Sequence, residues 1–289
     1  MTPLHVLKVG NQLGEGILWD ARVQCALWTD IQSSCFWRWQ PGDEPTSFAL
    51  PQRLGSFALT DTVGSYLGGF ESGFANFTPA TGAFEMLSPV TAQHTHLRLN
   101  DGRVDRNGTF WAGSMAEAKG DPKGSLWRYD GGDKSIPFLG DIKIPNSLCW
   151  NRDGTKMYFA DSPRQTIWRY EIDPVDGPVG EPQIFATTSG NRYPDGSCID
   201  AEDHLWNAQW GSGEVVRYRP DGSIERRITL PVSQPSCPAF GGPDLNQLMV
   251  TTARDGLTPE QLGDQPLAGA LFVYQTDVTG MSENICTRR

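Results

Sequence analysis

A sixfold repeat constrains the fold of this chain more than any other feature of its sequence. Six segments share a short apolar or aromatic run that leads into small or polar residues. The segments are anchored at equivalent positions that lie 39, 44, 48, 47 and 43 residues apart: Leu27, Tyr66, Phe110, Tyr158, Leu205 and Leu248. A period in the forties, with several strands per unit, is typical of propeller blades. The repeat predicts an all-β, six-bladed β-propeller that forms one domain over residues 1–289.

Partner strands follow four of these segments at the distance that a blade requires. They are residues 35–39, 125–129, 167–170 and 215–218, and each leads into a turn that contains glycine. A β-sandwich is the alternative fold, but six regular units spread over the whole chain favour the propeller. The pattern offers no sustained helical period, apart from a possible short helix or loop at 258–262.

Charge and composition exclude several classes of partner. The net charge is −10, from 24 Lys and Arg against 34 Asp and Glu, and no basic cluster is present. Binding to nucleic acid or to anionic lipid is therefore not expected. No apolar run approaches the length of a membrane helix, and the N-terminus does not resemble a signal peptide. We expect a cytoplasmic monomer whose six scattered cysteines are reduced thiols rather than a disulfide framework.

Polar residues recur at one position upstream of four repeats. Glu15, Asn100, Asn146 and Asp195 stand ten to twelve residues before the anchors of their repeats. Each is followed five residues later by an Asp or Asn that opens a turn: Asp20, Asp105, Asn151 and Asp200. The innermost strands of a propeller all begin at one rim of the central channel, so equivalent positions at their starts converge on the axis.

Two carboxylates and two amides gathered on the axis would favour a cation between them. Hard or borderline divalent ions prefer such oxygen ligands, and a bound ion removes the cost of burying unpaired carboxylates. Any one of these residues taken alone is more often a simple turn residue. Their joint occurrence in four repeats predicts a site for one divalent cation. In the other two repeats Gly55 or Ser56 and Ser236 occupy comparable places and could line the pocket without adding charge.

At these motifs the sequence resembles the SMP-30/gluconolactonase family over nearly its whole length. The motifs are Leu-Gly-Glu-Gly-Ile-Leu-Trp-Asp at 13–20, Arg-Leu-Asn-Asp-Gly-Arg-Val-Asp at 98–105, Thr-Phe-Trp-Ala-Gly-Ser-Met at 109–115, Ile-Pro-Asn-Ser-Leu at 144–148, Tyr-Pro-Asp-Gly at 193–196 and Phe-Gly-Gly-Pro-Asp at 240–244. One such motif is weak evidence, whereas the ordered set is strong. The resemblance implies a six-bladed propeller that hydrolyses sugar lactones.

The resemblance also implies roles for individual residues. Glu15, Asn146 and Asp195 would hold one divalent metal ion, which could be Ca, Zn, Fe, Mn or Mg. Arg98 and Asn100 would bind the substrate, and Asp195 would also be the catalytic base, acting directly or through a water. The sequence departs from the family at Ser147, where glycine is common. Because serine tolerates positive φ poorly, we expect the loop beside Asn146 to differ slightly. The variable stretch 116–123 leaves the shape of the substrate open.

The activity expected from this resemblance is metal-dependent hydrolysis of an aldonolactone in sugar catabolism. Gluconolactone and pentonolactones such as arabinono- or xylonolactone are the candidates, with a slight preference for a pentonolactone. The ion would polarise the lactone carbonyl or lower the pKa of a bound water. A propeller hydrolase of phosphotriesters and a non-catalytic protein-binding propeller are the alternatives, because a fold alone does not define a function.

Other motifs give weaker signals. His94 and His96 form a His-x-His pair that could suggest zinc, but no third His or carboxylate stands at supporting spacing, so an edge position is expected. The chain has no GxSxG, HExxH or phosphate-binding glycine loop. Trp210 could line a sugar pocket or belong to the core. Cys149 and Cys198 have no basic neighbour in the sequence and are expected to face the blade core rather than to act as nucleophiles.

Overall fold

Six sheets succeed one another along the chain, five of them of four strands and one of five, and each contains an antiparallel meander of consecutive strands. The structure is a computed structural model that describes residues 1–92, 96–117, 123–173 and 176–287. Alternating side chains in each strand pack on the sheets to either side, as strands that are buried on both faces require. The predicted six-bladed β-propeller is confirmed.

The strands follow the predicted repeat closely. Strand β1 (His5–Leu7) precedes blade 1, which holds β2 (Gly14–Asp20), β3 (Cys25–Asp30), β4 (Cys35–Trp39) and β5 (Thr46–Ala49). Blade 2 holds β6 (Leu54–Thr60), β7 (Tyr66–Phe70), β8 (Gly73–Thr78) and β9 (Ala83–Ser88). Blade 3 holds β10 (Leu97–Val104), β11 (Phe110–Ala116), β12 (Gly124–Gly131) and β13 (Lys134–Ile142). Blade 4 holds β14 (Pro145–Trp150), β15 (Lys156–Asp161), β16 (Thr166–Asp173) and β17 (Gly177–Thr187). Blade 5 holds β18 (Tyr193–Ile199), β19 (Leu205–Trp210), β20 (Glu214–Tyr218) and β21 (Ile224–Thr229). Blade 6 holds β22 (Pro235–Gly241), β23 (Gln247–Thr252) and β24 (Leu271–Gln275), and β25 (Ile285–Cys286) follows it.

Both ends of the chain close the ring. Strand β1 pairs antiparallel with β24, so the N-terminal segment supplies the fourth strand of blade 6. Strand β25 pairs in parallel with β6, which ties the C-terminal segment to blade 2. Pairing a strand from one end of the chain with a blade from the other covers sheet edges and links the first and last blades.

The first strand of each blade lines the axis, next to the first strands of the neighbouring blades. In all six blades its pairing with the second strand is interrupted by a register shift close to its start. In blade 4, for example, the register shifts between Asn146 and Cys149. A bulge bends a strand and turns a side chain that would otherwise follow the pleat. These bulges therefore coincide with the polar positions predicted from the repeat.

The turn residues at the far end of the innermost strands confirm that the repeats are in register. Asp105 accepts hydrogen bonds from the backbone N–H of Asn107 and Thr109 through Oδ1 (2.8 and 2.9 Å), and from Trp111 Nε1 through Oδ2 (2.8 Å). Asp200 has the same arrangement with the residues two, four and six positions later. The same bonding pattern in two blades fixes the distance from these turns back to the polar residues at the start of the strands.

Aromatic pairs contribute to the packing between blades. Between blades 1 and 2, Phe36 lies 4.9 Å from Phe57 and 5.0 Å from Tyr66, measured between ring centroids. Between blades 3 and 4, Trp111 lies 6.0 Å from Trp150. Tilted and edge-to-face aromatic pairs add about 0.5–1.5 kcal/mol each to the stabilisation from burial. They hold the blades at fixed mutual positions, which the axial side chains need.

Helical structure is sparse among the described residues. A short helix, α1 (Pro259–Asp264), begins after Thr258, where a capping box with Gln261 stabilises its first turn. No described helix is long and apolar enough to cross a membrane. The cysteines carry free thiols; all are buried except Cys35, which is partly exposed. Burial raises the pKa of the Cys149 thiol to about 12, which disfavours the nucleophilic thiolate.

Candidate functional site

One cavity of about 350 Å³ brings together the five residues that the sequence predicts as metal ligands or substrate contacts. Its lining includes Glu15, Arg98, Asn100, Asn146 and Asp195. They come from β2, β10, β14 and β18, and all lie close to the starts of those innermost strands. Residues from four blades therefore meet at one end of the channel.

A pair of buried carboxyl groups dominates the electrostatics of this cavity. Glu15 and Asp195 lie within hydrogen-bonding reach of each other. Burial, together with repulsion from Asp101, raises the pKa of Glu15 to about 8. Burial and the nearby charge of Glu15 raise the pKa of Asp195 well above its usual value. Without a cation, this pair retains a proton at neutral pH.

Two amides stand beside the carboxyl pair with their orientations fixed by hydrogen bonds. Asn100 Oδ1 accepts from Arg98 Nη1 (2.7 Å), and its Nδ2 donates to the Pro145 carbonyl (2.9 Å) and to Asn146 Oδ1 (3.1 Å). Asn146 Nδ2 donates to Ser162 Oγ (2.8 Å). Both amides are almost fully buried. The chain of contacts runs continuously from Arg98 to Ser162.

Arg98 is held in place by a network of ion pairs at the cavity rim. Its Nε donates to Glu117 Oε1 (3.0 Å), while Nη1 is engaged by Asn100. Arg53 binds both carboxylate oxygens of Glu117 (2.7 and 2.8 Å) and both of Glu71 (2.8 and 3.1 Å). Such bidentate pairs fix geometry as well as charge. Arg98 thus has Nε and Nη1 committed, and Nη2 is the part of its fork with no bond to a described residue.

The remaining wall of the cavity is mostly apolar. Tyr193 and Trp210 face each other in register on β18 and β19. The other apolar lining residues are Leu13, Met115, Ile144 and Pro163. Trp210, for which the sequence left pocket and core equally open, is part of the lining. An aromatic surface opposite polar side chains suits the C–H and O–H faces of a sugar.

Several site residues were not found from the sequence. Asp101, whose charge raises the pKa of Glu15, directly follows Asn100 in the motif at 98–105. The repeat singled out Asn100 and gave no separate signal for Asp101. Ser162 and Asp255 come from segments that carry no recurrent pattern, although both line the cavity. Glu117 lies in the stretch that was treated as variable. The ion pairs of Glu117 with Arg53 and Arg98 depend on tertiary contacts that no local sequence pattern indicates.

Some expectations took a different form. Gly55, Ser56 and Ser236 were expected as possible uncharged lining residues, but none of them belongs to the cavity wall that the structure describes. Ser56 and Ser236 are instead buried within the ring of innermost strands. Ser236 Oγ lies in short hydrogen-bonding contact with the Gly14 carbonyl and joins blade 6 to blade 1.

Ser147 adopts the left-handed conformation in spite of its side chain. Its φ is 62°, close to the 58° of Gly16 at the corresponding place in blade 1. The bulge beside Asn146 therefore keeps the turn that a glycine would make. The Ser147 hydroxyl donates to the Asp195 carbonyl (2.7 Å) and accepts from Asn207 Nδ2 (3.0 Å), which offsets part of the strain.

The histidine pair is only half described. His96 is a described residue and is not among those that line the cavity; its carbonyl accepts a hydrogen bond from the Glu117 backbone N–H (3.2 Å). His94 lies outside the described residues, as do residues 118–122 of the predicted variable stretch. Within the described ranges, no group of three or more His, Cys, Asp or Glu side chains is placed to hold a metal.

The axial residues nevertheless suit a divalent cation. Glu15 and Asp195 supply two carboxyl groups, and Asn146 turns its amide oxygen away from Ser162 toward Asn100. All the donors are oxygens, which Ca²⁺ and similar ions prefer. The raised pKa of each carboxyl records the cost of leaving the pair without positive charge. A cation could take the place of the proton that the pair otherwise retains.

Fold and site together define the class of protein: a six-bladed β-propeller with an acidic, oxygen-lined pocket at one mouth of its central channel. The sequence profile of the SMP-30/gluconolactonase/LRE-like region matches residues 13–254. The chain is therefore a member of the SMP-30/gluconolactonase/LRE-like family, as its motifs indicated.

Relatives of named activity cover nearly the whole chain. It is 39% identical to an L-arabinolactonase from Azospirillum brasilense, over 94% of this chain and 91% of that protein. It is 35% identical to a 6-deoxy-6-sulfogluconolactonase from Pseudomonas putida, over 96% of each. A crystal structure of a calcium-binding protein, regucalcin, from Agrobacterium tumefaciens has a TM-score of 0.92 and 32% identity, covering 96% of this chain and 95% of its own.

Proposed function

We propose that this protein is a sugar lactonase that hydrolyses an aldonolactone to the aldonic acid with the help of one divalent metal ion. The observation that carries the proposal is the single cavity lined by Glu15, Arg98, Asn100, Asn146 and Asp195. Family membership and two relatives named as sugar lactonases support the reaction class. The L-arabinolactonase relative supports a pentonolactone as the first substrate to test.

The metal ligands in this proposal are Glu15, Asn146 and Asp195, with water completing the shell. When bound, the ion would supply Lewis-acid activation of the lactone carbonyl or of the attacking water. The calcium-binding relative supports a divalent ion. Which ion this protein holds depends on the coordination preference of the site and on which metals are available to it. The all-oxygen donor set fits Ca²⁺, Mg²⁺ or Mn²⁺ best, and Fe²⁺ and Zn²⁺ are also compatible.

The side chains of the cavity divide the remaining work. Asp195 accepts a proton from water, directly or through a second water, as the water oxygen bonds to the carbonyl carbon. The ester C–O bond then breaks, and the ring oxygen takes up a proton to become a hydroxyl group. Arg98 can donate Nη2 to a substrate oxygen, because Nε and Nη1 are held by Glu117 and Asn100. Tyr193 and Trp210 provide an apolar surface for the sugar ring.

A lactone hydrolysis assay tests this function directly. Purified protein is given arabinonolactone, xylonolactone and gluconolactone in a pH-indicator assay, with and without a chelator, beside a phosphotriester. Acid release from the lactones that chelator abolishes and added divalent ion restores is the expected result. Hydrolysis of the phosphotriester alone would replace the proposal with the second hydrolase class. Absence of turnover on every substrate would favour a binding propeller.

A further inference from the structure

A single hydroxyl group connects a proposed metal ligand to the neighbouring blade. Ser162 begins the 3₁₀ helix Ser162–Arg164, immediately after β15, and is 6% exposed in the wall of the cavity. Its Oγ lies 2.6 Å from the carbonyl oxygen of Pro194 in blade 5. The same atom lies 2.8 Å from Asn146 Nδ2 in blade 4. Ser162 thus contacts the residue before Asp195 and the side chain of Asn146.

Proton counting at Ser162 determines which way the Asn146 amide points. A carbonyl oxygen only accepts, so the one hydroxyl proton of Ser162 is given to Pro194. Ser162 Oγ can then only accept from Asn146, which must present its NH₂ group there. The Asn146 oxygen is left on the other side, 3.1 Å from Asn100 Nδ2.

The opposite orientation of the amide is disfavoured at both ends. A flipped Asn146 would place its oxygen against Ser162 Oγ, which has no proton left to donate. It would also place its NH₂ group against that of Asn100. Asn100 cannot turn to compensate, because its own amide is fixed by Arg98 Nη1 on the oxygen side and by the Pro145 carbonyl on the nitrogen side.

We propose that Ser162 is a positioning residue that keeps the Asn146 amide oxygen available to the cation and thereby sets the affinity of the site for metal. The inference rests on the proposed function, in which Asn146 is a metal ligand. An amide binds a hard cation through oxygen, and an NH₂ group has no lone pair to offer. Ser162 therefore acts on the ion through Asn146.

Ser147 provides a matched control within the same pair of blades. Ser147 is buried as Ser162 is, and its hydroxyl also donates to a backbone carbonyl of β18, that of Asp195, at 2.7 Å. It touches no side chain of Glu15, Asn146 or Asp195 among the described contacts, because its other partner is Asn207 Nδ2. Ser147→Ala therefore removes a comparable bridge between blades and leaves the Asn146 amide bonded to Ser162.

The test is metal binding by calorimetry on full-length protein stripped with a chelator, titrated separately with Ca²⁺, Mn²⁺ and Zn²⁺. Ser162→Ala should raise the dissociation constant for the metal by about 10–100-fold, as loss of an outer hydrogen-bond partner of a ligand does. Ser147→Ala should change it by less than about threefold, and Ser162→Thr, which keeps a hydroxyl, should restore most of the affinity. Thermal unfolding of the metal-free variants checks that each is folded.

A double-mutant cycle separates orientation from general damage. A carboxylate at position 146 has two equivalent oxygens and cannot be misoriented. In the Asn146→Asp background, Ser162→Ala should therefore lower the affinity for metal by less than about threefold. Equal losses in both backgrounds, equal losses for the Ser147 and Ser162 variants, or an unchanged dissociation constant in Ser162→Ala would each overturn the inference. No binding of any ion by the unmodified protein would instead overturn the proposed metal site and this inference with it.

Discussion

The Asp195 carboxyl has two proposed roles, as a metal ligand and as the catalytic base. Its burial beside Glu15 raises its pKa well above the ordinary value. Without a cation that raised pKa keeps a proton on the pair, whereas a bound cation would offset the burial of the charge and leave the carboxylate ionised and able to accept a proton from water. Replacement of this side chain by its amide separates the two roles, since an amide retains an oxygen for coordination but cannot act as the base.

We expect Asp195→Asn to lower kcat/KM for the preferred lactone by about 10²–10⁴-fold, which is the usual contribution of general base catalysis. Metal affinity should fall by much less. Steady-state kinetics beside calorimetric metal titration would measure both quantities. Asp255→Asn is the comparison, because this carboxylate lines the same cavity outside the proposed ligand set and should cost less. Activity in Asp195→Asn that equals the unmodified rate would contradict the assignment.

How far single residues could be predicted depends on whether they recur. Glu15, Asn146 and Asp195 stand at matching offsets in their repeats, so their convergence in one cavity followed from the sequence. Ser162 and Glu117 have no counterpart pattern, because each works through tertiary hydrogen bonds to a different element. The serine at position 147 could be recognised as unusual, but its left-handed backbone and its bond to Asp195 required the structure.

At the scale of elements, the bulges of the innermost strands connect fold and site. Regular pleating would alternate side chains evenly, whereas each bulge inserts a residue and re-aims its neighbours. The sequence indicated strands and turns well, because turn residues such as Asp105 and Asp200 are bonded as their positions suggest. It did not indicate the bulges, since an extra residue in a strand has no signature apart from the pairing partner.

The contact between the innermost strands of blades 2 and 3 gives a prediction at this scale. A Cβ on Gly55 would lie 2.5 Å from the Leu99 carbonyl oxygen and 2.6 Å from that of Asn100, both of them backbone atoms. Gly55→Ala should therefore force β6 and β10 apart, destabilise the protein by about 1–3 kcal/mol and raise KM by displacing Asn100. Thermal unfolding and lactone kinetics would measure both effects.

The matched change is Gly140→Ala on β13, where a Cβ would meet no atom within 4 Å. It exchanges the same residue types in a strand without any close contact, so its Tm should not fall. A Gly55→Ala protein as stable and as active as Gly140→Ala would show that the two innermost strands can separate without consequence for the site.

The whole molecule is a ring that both chain ends close, and its axis holds the acidic pair. The period of the repeat predicted the number of blades, but neither closing strand was predicted. His5–Leu7 and Ile285–Cys286 are too short to carry a pattern of their own, and their partners lie on blades remote in sequence. Because the carboxyl pair is shared between blades 1 and 5, its charge state affects the cohesion of the ring itself.

Metal removal should therefore make stability depend on pH in a defined direction. The folded, metal-free protein holds a proton on Glu15 up to about pH 8, whereas the unfolded chain releases it near the ordinary value of 4.5. Between these values the folded state binds more protons than the unfolded state, so the free energy of unfolding falls as pH rises. Stability from this source is complete below the pKa of Glu15 in the unfolded chain and is lost as pH rises through its pKa in the folded protein.

We expect the Tm of chelator-treated protein to drop by several degrees from about pH 5 to about pH 8. A bound divalent ion should reduce that drop, because it stabilises the ionised carboxylates in the folded state. In Glu15→Gln, which has no proton to release at this position, the metal-free protein should show a flatter profile. Thermal unfolding of the two metal-free proteins across this pH range is the measurement, and identical slopes of Tm against pH would exclude Glu15 as the source.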